Sequence, residues 1–187
     1  MYQTITRKGS FDAAHRVMHE RVKCYNLHGH TFLYELTFAF REPEDLGYAL
    51  DFKEIKRVAC EYIDKVFDHT LIVNPKDTKC IRLCEDLGTK CYIMSLNGKG
   101  VDCNPSAEAI SKELFVQVST LMNTDNFWLE KVTLYETPNC CVETTKQCIS
   151  ENDWRNVQVA HAEQLHSFRS EKGAFEYDER KVNKVNV

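Results

Sequence analysis

An α+β fold is predicted from the order in which patterns occur along the chain. Two extended segments come first, two amphipathic helices follow, and two further extended segments close the set. The clearest strand is Thr31 to Phe40. It alternates with period two, placing Phe32, Tyr34, Leu36, Phe38 and Phe40 on one side and Thr31, Glu35 and Thr37 on the other. Two later stretches repeat apolar residues at helical spacing: Phe52, Ile55, Val58, Tyr62, Ile63 and Val66, then Ile110, Leu114, Val118, Leu121 and Met122. Strands flanking a helical pair put both helices on one face of an antiparallel sheet.

In chain order, residues 2–7 and 10–17 read as extended, with Gly9-Ser10 an interruption of the kind a bulge makes. Residues 41–47 form a polar turn. Asp51 is the expected N-cap of the first helix, with Glu54 three residues on, and the helix ends near Phe67-Asp68-His69. Within 74–104, Tyr92-Ile93-Met94 is strand-like and Asn97-Gly98 marks a turn. Ser106 caps the second helix. Lys131 to Glu136 is a strand with Val132, Leu134 and Glu136 on one side, so a carboxylate falls where burial is expected. A last extended piece runs from about Cys141 to Ile149. The expected division is one domain over residues 1–150 and an extension over 151–187, partly helical, whose stripe of Trp154, Val157, His161, Leu165 and Phe168 docks on the body or on another copy.

Composition narrows the possibilities. A net charge of −4 gives no general attraction to nucleic acid or to an anionic membrane. No apolar run approaches the roughly 18 residues of a membrane span. The opening residues lack the apolar segment of a secretory signal, and nine cysteines, an odd number, then suit reduced thiols in a cytoplasmic protein.

Cys24-Tyr25-Asn26-Leu27-His28-Gly29-His30 is the stretch with chemistry in it. Side chains alternate along a strand, so His28 and His30 share a face, and their parity continues that of Phe32 and Tyr34 into a pocket. His15 is the candidate third ligand from a neighbouring strand. Three neutral imidazoles with one position open is the arrangement of a catalytic zinc, since a structural zinc is closed by four protein ligands. Cys80, Cys84, Cys91 and Cys103 have no compact zinc-knuckle spacing, and the adjacent Cys140 and Cys141 point to opposite faces as packing residues.

Five motifs occur in one order: Phe11-x-Ala13-Ala14-His15, Cys24-x3-His28-Gly29-His30, Asp68-His69, Pro105-Ser106-x-Glu108 and Tyr135-Glu136-Thr137-Pro138. Over roughly residues 2–149 the chain therefore resembles the 6-pyruvoyl-tetrahydropterin synthase / 6-carboxy-tetrahydropterin synthase family. The three-residue gap between thiol and histidine pair, with Leu50-Asp51-Phe52-Lys53, looks like the 6-carboxy branch. Ser106 stands where the family usually has Thr, the 74–104 segment is long, and the tail is extra. The resemblance implies the tunnelling fold, ββααββ subunits whose sheets join as barrels in a homohexamer of two trimers, with active sites between subunits. It implies 7,8-dihydroneopterin triphosphate as the small-molecule substrate. The products would be 6-carboxy-tetrahydropterin, acetaldehyde and triphosphate, on the way to 7-deazaguanine (queuosine-type) compounds. A phosphate-eliminating 6-pyruvoyl synthase and a non-catalytic pterin-binding protein are the alternatives.

The resemblance also assigns roles. Zn2+ would sit on His15, His28 and His30. Cys24 would be the proton-abstracting base, its thiol made more acidic by the metal and by Lys23. His69 would move a second proton, oriented by Asp68. Glu136 would anchor the pterin, whose amidine-like N–H edge suits bidentate acceptance by a carboxylate. Glu108 either lines the pocket or simply complements the helix dipole. Arg16, Arg21 and Lys23 either meet the triphosphate or form a solvated basic loop.

Overall fold

The computed structural model describes residues 2–19, 23–41, 43, 47, 49–173 and 175. Its centre is a long antiparallel hairpin, β1 (Gln3–His15) with β2 (His28–Phe40), in register from Gln3 opposite Phe40 to His15 opposite His28. β5 (Phe127–Thr137) lies antiparallel to β2, and β6 (Cys140–Thr144) antiparallel to β5. On the other side of β1 are two short strands, β3 (Thr70–Val73) and β4 (Cys91–Ile93), each parallel to its inner neighbour. The six-stranded sheet runs β4-β3-β1-β2-β5-β6.

The α+β class and the antiparallel set of β1, β2, β5 and β6 are those the sequence predicts, but the sheet as a whole is mixed. Residues 70–93 supply a parallel wing because the chain returns to the sheet after each of two helical crossovers. The interruption expected at Gly9-Ser10 is absent, and β1 runs through it unbroken. Gly9 is needed for space: a Cβ there would lie 2.3 Å from the Tyr34 hydroxyl oxygen. Irregularities come instead in β5: Thr37 and Phe38 pair with Lys131 and Leu129, leaving Glu130 extra, and Tyr135 and Thr137 pair with Cys141 and Cys140, leaving Glu136 extra.

Helices α1 (Phe52–Ile55) and α2 (Glu61–Phe67) form one rod through a π-type turn at Lys56–Cys60, and the Asp51 carboxylate accepts the Lys53 N–H. Phe52, expected on the buried stripe, is instead half exposed, whereas Ile55, Val58, Tyr62, Ile63 and Val66 are buried. α4 (Ala107–Met122), capped by Ser106, is buried almost all round. α3 (Thr78–Leu87) covers the other face of the sheet, where Cys80 and Cys84 pack on Leu71 and Val73 in a small separate cluster.

β6 stops at Thr144, short of the extended segment expected to reach Ile149, and a 3-10 turn follows at Lys146–Cys148. α5 (Glu151–Ala160) and α6 (Ala162–Lys172) then lie on α4. Val157, Leu165 and Phe168 enter the main core, where Phe168 meets Tyr62 edge-on with ring centres 5.2 Å apart. Residues 176–187 of the extension, and parts of the 41–47 turn, lie outside the described residues. All nine cysteines are free thiols. Among the described residues no helix is long and apolar enough to cross a membrane.

Candidate metal centre and active site

The closed end of the β1–β2 hairpin brings the three histidines together. His15 lies directly opposite His28, and Ala13 opposite His30, so all three imidazoles rise from one face of two adjacent strands. Gly29 lets those strands approach: a Cβ there would press to 3.3 Å from the Ala13 carbonyl oxygen. One ring nitrogen from each histidine lies within 4.8 Å of the others, and the ring centres are 4.6 to 5.3 Å apart.

Hydrogen bonds fix the tautomers. His15 Nδ1 is 2.7 Å from the Pro105 carbonyl oxygen, and His28 Nδ1 is 2.7 Å from that of Asn26. A carbonyl can only accept, so in both neutral rings Nδ1 carries the hydrogen and Nε2 presents a lone pair. The Nε2 atoms of His15 and His30 are buried without a hydrogen-bond partner. Burial pushes the His15 imidazole below its usual pKa and His28 adds to this, while the Pro105 bond opposes it. Ring nitrogens this close together, two of them buried without a hydrogen-bond partner, are what a bound cation would satisfy, so the residues present fit a zinc ion.

Glu136, near the end of β5, stands beside this cluster with Oε1 3.5 Å from His30 Nε2. Cys24 sits in a single 3-10 turn (Lys23–Tyr25) inside the 16–27 loop that joins His15 to His28. The loop is folded back on itself, since the Cys24 carbonyl accepts the Val17 N–H at 2.8 Å. Arg16 is ion-paired with buried Asp77 and lies 5.0 Å from the Tyr25 ring centre, so its charge is already partnered. Lys23 is exposed, and Arg21 lies outside the described residues.

Asp68 and His69 are a pair, with His69 Nδ1 2.5 Å from Asp68 Oδ2, but they are not among the imidazoles. His69 opens into a groove of about 540 Å3 with Asp12, Thr31 and Thr89. Asp12 and Thr31 belong to the sheet face opposite that of Ala13, His15 and His28. The Asp12 N–H donates to Asp68 and its carbonyl accepts the His69 N–H, each within 2.8 Å. Burial acts to raise the Asp68 pKa, but the Asp12 N–H, His69 and Lys90 outweigh it and hold the carboxyl below its ordinary range. His69 has φ +53, a left-handed backbone that a non-glycine residue adopts at a cost of order 1 kcal/mol or more. Glu108 is exposed in the first turn of α4.

Motif reading missed Asn104. Its Oδ1 accepts the Met18 N–H and its Nδ2 donates to the Met18 carbonyl, both at 2.9 Å, and Asn74 Nδ2 donates to the same Oδ1 at 2.8 Å. It thus holds the root of the Cys24 loop, while the next residue, Pro105, holds His15. Its place just before Pro105-Ser106 was the only available signal.

A hairpin-borne trio of imidazoles, one buried and two half-buried, flanked by a carboxylate and joined by a thiol-bearing loop, defines an α+β protein with a three-histidine cation site. The chain belongs to the 6-pyruvoyl tetrahydropterin synthase family, whose sequence profile matches residues 4–147. A Rickettsia conorii protein named 6-carboxy-5,6,7,8-tetrahydropterin synthase is 38% identical over 140 residues, covering 74% of this chain and 96% of its own length. A Haemophilus influenzae protein of the same name is 26% identical over 145 residues, covering 74% and 96%. Among solved structures, Caenorhabditis elegans 6-pyruvoyl tetrahydropterin synthase superimposes with a TM-score of 0.55 at 21% identity, over 78% of this chain and 96% of that one. An uncharacterised Wolinella succinogenes protein does so with a TM-score of 0.63 at 17% identity, over 78% and 99%. Both likenesses concern the fold.

Proposed function

We propose that this chain is a zinc-dependent 6-carboxy-tetrahydropterin synthase, a carbon–carbon lyase acting on 7,8-dihydroneopterin triphosphate. The observation that carries the reading is the set of inward-facing, unpartnered imidazole nitrogens beside Glu136, in a chain whose bacterial relatives bear that activity's name. His15, His28 and His30 would hold the metal, which when bound supplies Lewis-acid stabilisation of oxygen anions on the substrate side chain.

The chain's own residues do the rest. Glu136 accepts the N–H edge of the pterin and fixes the ring, leaving the hydroxylated side chain toward the imidazoles. The Cys24 thiolate takes a proton from a side-chain carbon bearing oxygen. The Asp68 carboxylate orients the His69 ring and stabilises its protonated form, so that His69 gives and takes the second proton at its free Nε2. Because His69 lies on the opposite sheet face, it serves the imidazole cluster of a neighbouring copy, in a hexamer of two trimers with composite sites. The product feeds 7-deazaguanine synthesis in the cytoplasm, where free thiols persist.

The test is product identification with zinc-loaded protein and dihydroneopterin triphosphate. Acetaldehyde with 6-carboxy-tetrahydropterin is the expected pair. A 6-pyruvoyl product without acetaldehyde would assign the other branch, and tight pterin binding without turnover would remove the catalytic reading.

A further inference from the structure

A cleft of about 840 Å3, lined by none of the residues the pterin chemistry uses, lies between β4 with its following loop and the bend from α5 to α6. One wall, residues 155–164, lies beyond the 4–147 span that matches the family. We propose that this cleft binds a small organic anion with an apolar body, a carboxylate or a phosphate monoester. The proposal does not rest on the pterin reading.

Charge and shape point to that class. In a chain of net charge −4, the charged residues among the described lining are Lys99 and Arg155, and none is acidic. Ile93 and Val159 expose apolar surface in the same cleft. The volume falls within the range of small-molecule sites, and a cationic rim over apolar walls selects an amphipathic anion over a neutral molecule of equal size.

The walls are also fixed in place. The His161 ring lies flat on Tyr92, with centres 4.9 Å apart and planes at 4°, and its Nε2 is 3.1 Å from both Tyr92 Oη and Ser95 Oγ. Asn156 Nδ2 donates to the Leu96 carbonyl at 3.1 Å, tying α5 to the same loop. Glu113 lies beneath and holds the β4 wall and its loop together. The side chain is fully buried and accepts the Ser95 and Leu96 N–H groups and the Tyr92 and Ser95 hydroxyls. A preformed cleft spares the ligand the cost of ordering its site.

Calorimetric titration of the full, metal-loaded chain with decanoate, decyl phosphate and decanol tests this. Either anion should bind one per chain, about tenfold or more tighter than decanol, the scale of one to two exposed ion pairs. The Lys99→Gln/Arg155→Gln double variant, altered only at exposed positions, should bring anion and alcohol to within about threefold of each other. With methionine methyls labelled for NMR, the Met94 signal should move and the core Met122 signal should not. Binding of one anion alone supports the site and assigns the head group. Equal affinity for decanol and the anions in the wild type, affinity unchanged in the double variant, no binding below about 1 mM, or an unmoved Met94 signal would each overturn it.

Discussion

Replacing Asn104 with Ala should separate catalysis from metal binding. The side chain makes three hydrogen bonds, two to the backbone of Met18 and one from Asn74. At about 0.5–1.5 kcal/mol each, their loss removes about 1.5–4.5 kcal/mol, most of it restraint on the loop that carries Cys24. His15 is held by the Pro105 carbonyl, a backbone group that the substitution leaves in place. The expected outcome is a kcat reduced about 10- to 100-fold, which corresponds to about 1.4–2.7 kcal/mol of lost positioning, with zinc content still near one per chain. Steady-state kinetics on dihydroneopterin triphosphate, metal analysis and thermal unfolding of the same preparation read the three quantities. A kcat within twofold of wild type, in a variant that has lost stability, would refute the positioning argument and leave Asn104 a structural residue. Parallel loss of metal and activity would equally show that loop and ligand are not held separately.

Other outcomes follow from the same geometry. Cys24→Ala should retain zinc and lose most turnover; activity like wild type removes the thiol as base. Glu136→Gln keeps the shape but supplies only one acceptor oxygen, so pterin affinity should fall about tenfold or more, the loss of one charge-assisted hydrogen bond, with metal content unchanged in the same titration. Co-assembling Cys24→Ala with His69→Ala chains, each inactive alone, should restore about a quarter of wild-type activity if each site draws on two copies that mix at random, and none if sites are self-contained. Phe168→Ala should cost about 3–5 kcal/mol in denaturant unfolding, because its ring is buried against Tyr62; a change under 1 kcal/mol would mean that α6 is not part of the core. The depressed Asp68 pKa stabilises the fold above the unfolded carboxyl value, and that contribution disappears as pH falls through the folded one. Asp68→Asn should therefore destabilise at neutral pH and flatten the acid limb of the stability profile.

The sequence by itself determined what depends on short-range periodicity. Alternation over Thr31–Phe40 placed His28 and His30 on one face, the helical stripes located α1, α2 and α4, and Asp51 and Ser106 marked their starts, because strand and helix repeats are local and each cap acts within three residues. Parity predicted burial for Glu136, which is half-buried at a register shift, with Oε1 3.5 Å from His30 Nε2. Nothing local named the partners of buried Glu113 and Gln117, which are Tyr92 and Tyr62. The tertiary structure alone decided what depends on distant pairing. It set His15 opposite His28 through the hairpin register, joined Asn104 to Met18 across 86 positions, and turned His69 to the far side of the sheet. Tyr92-Ile93 did read as strand, but β3 and the parallel pairing of β3 and β4 were hidden for the same reason: a four-residue strand is too short to show a period, and which neighbours accept its hydrogen bonds is not local information.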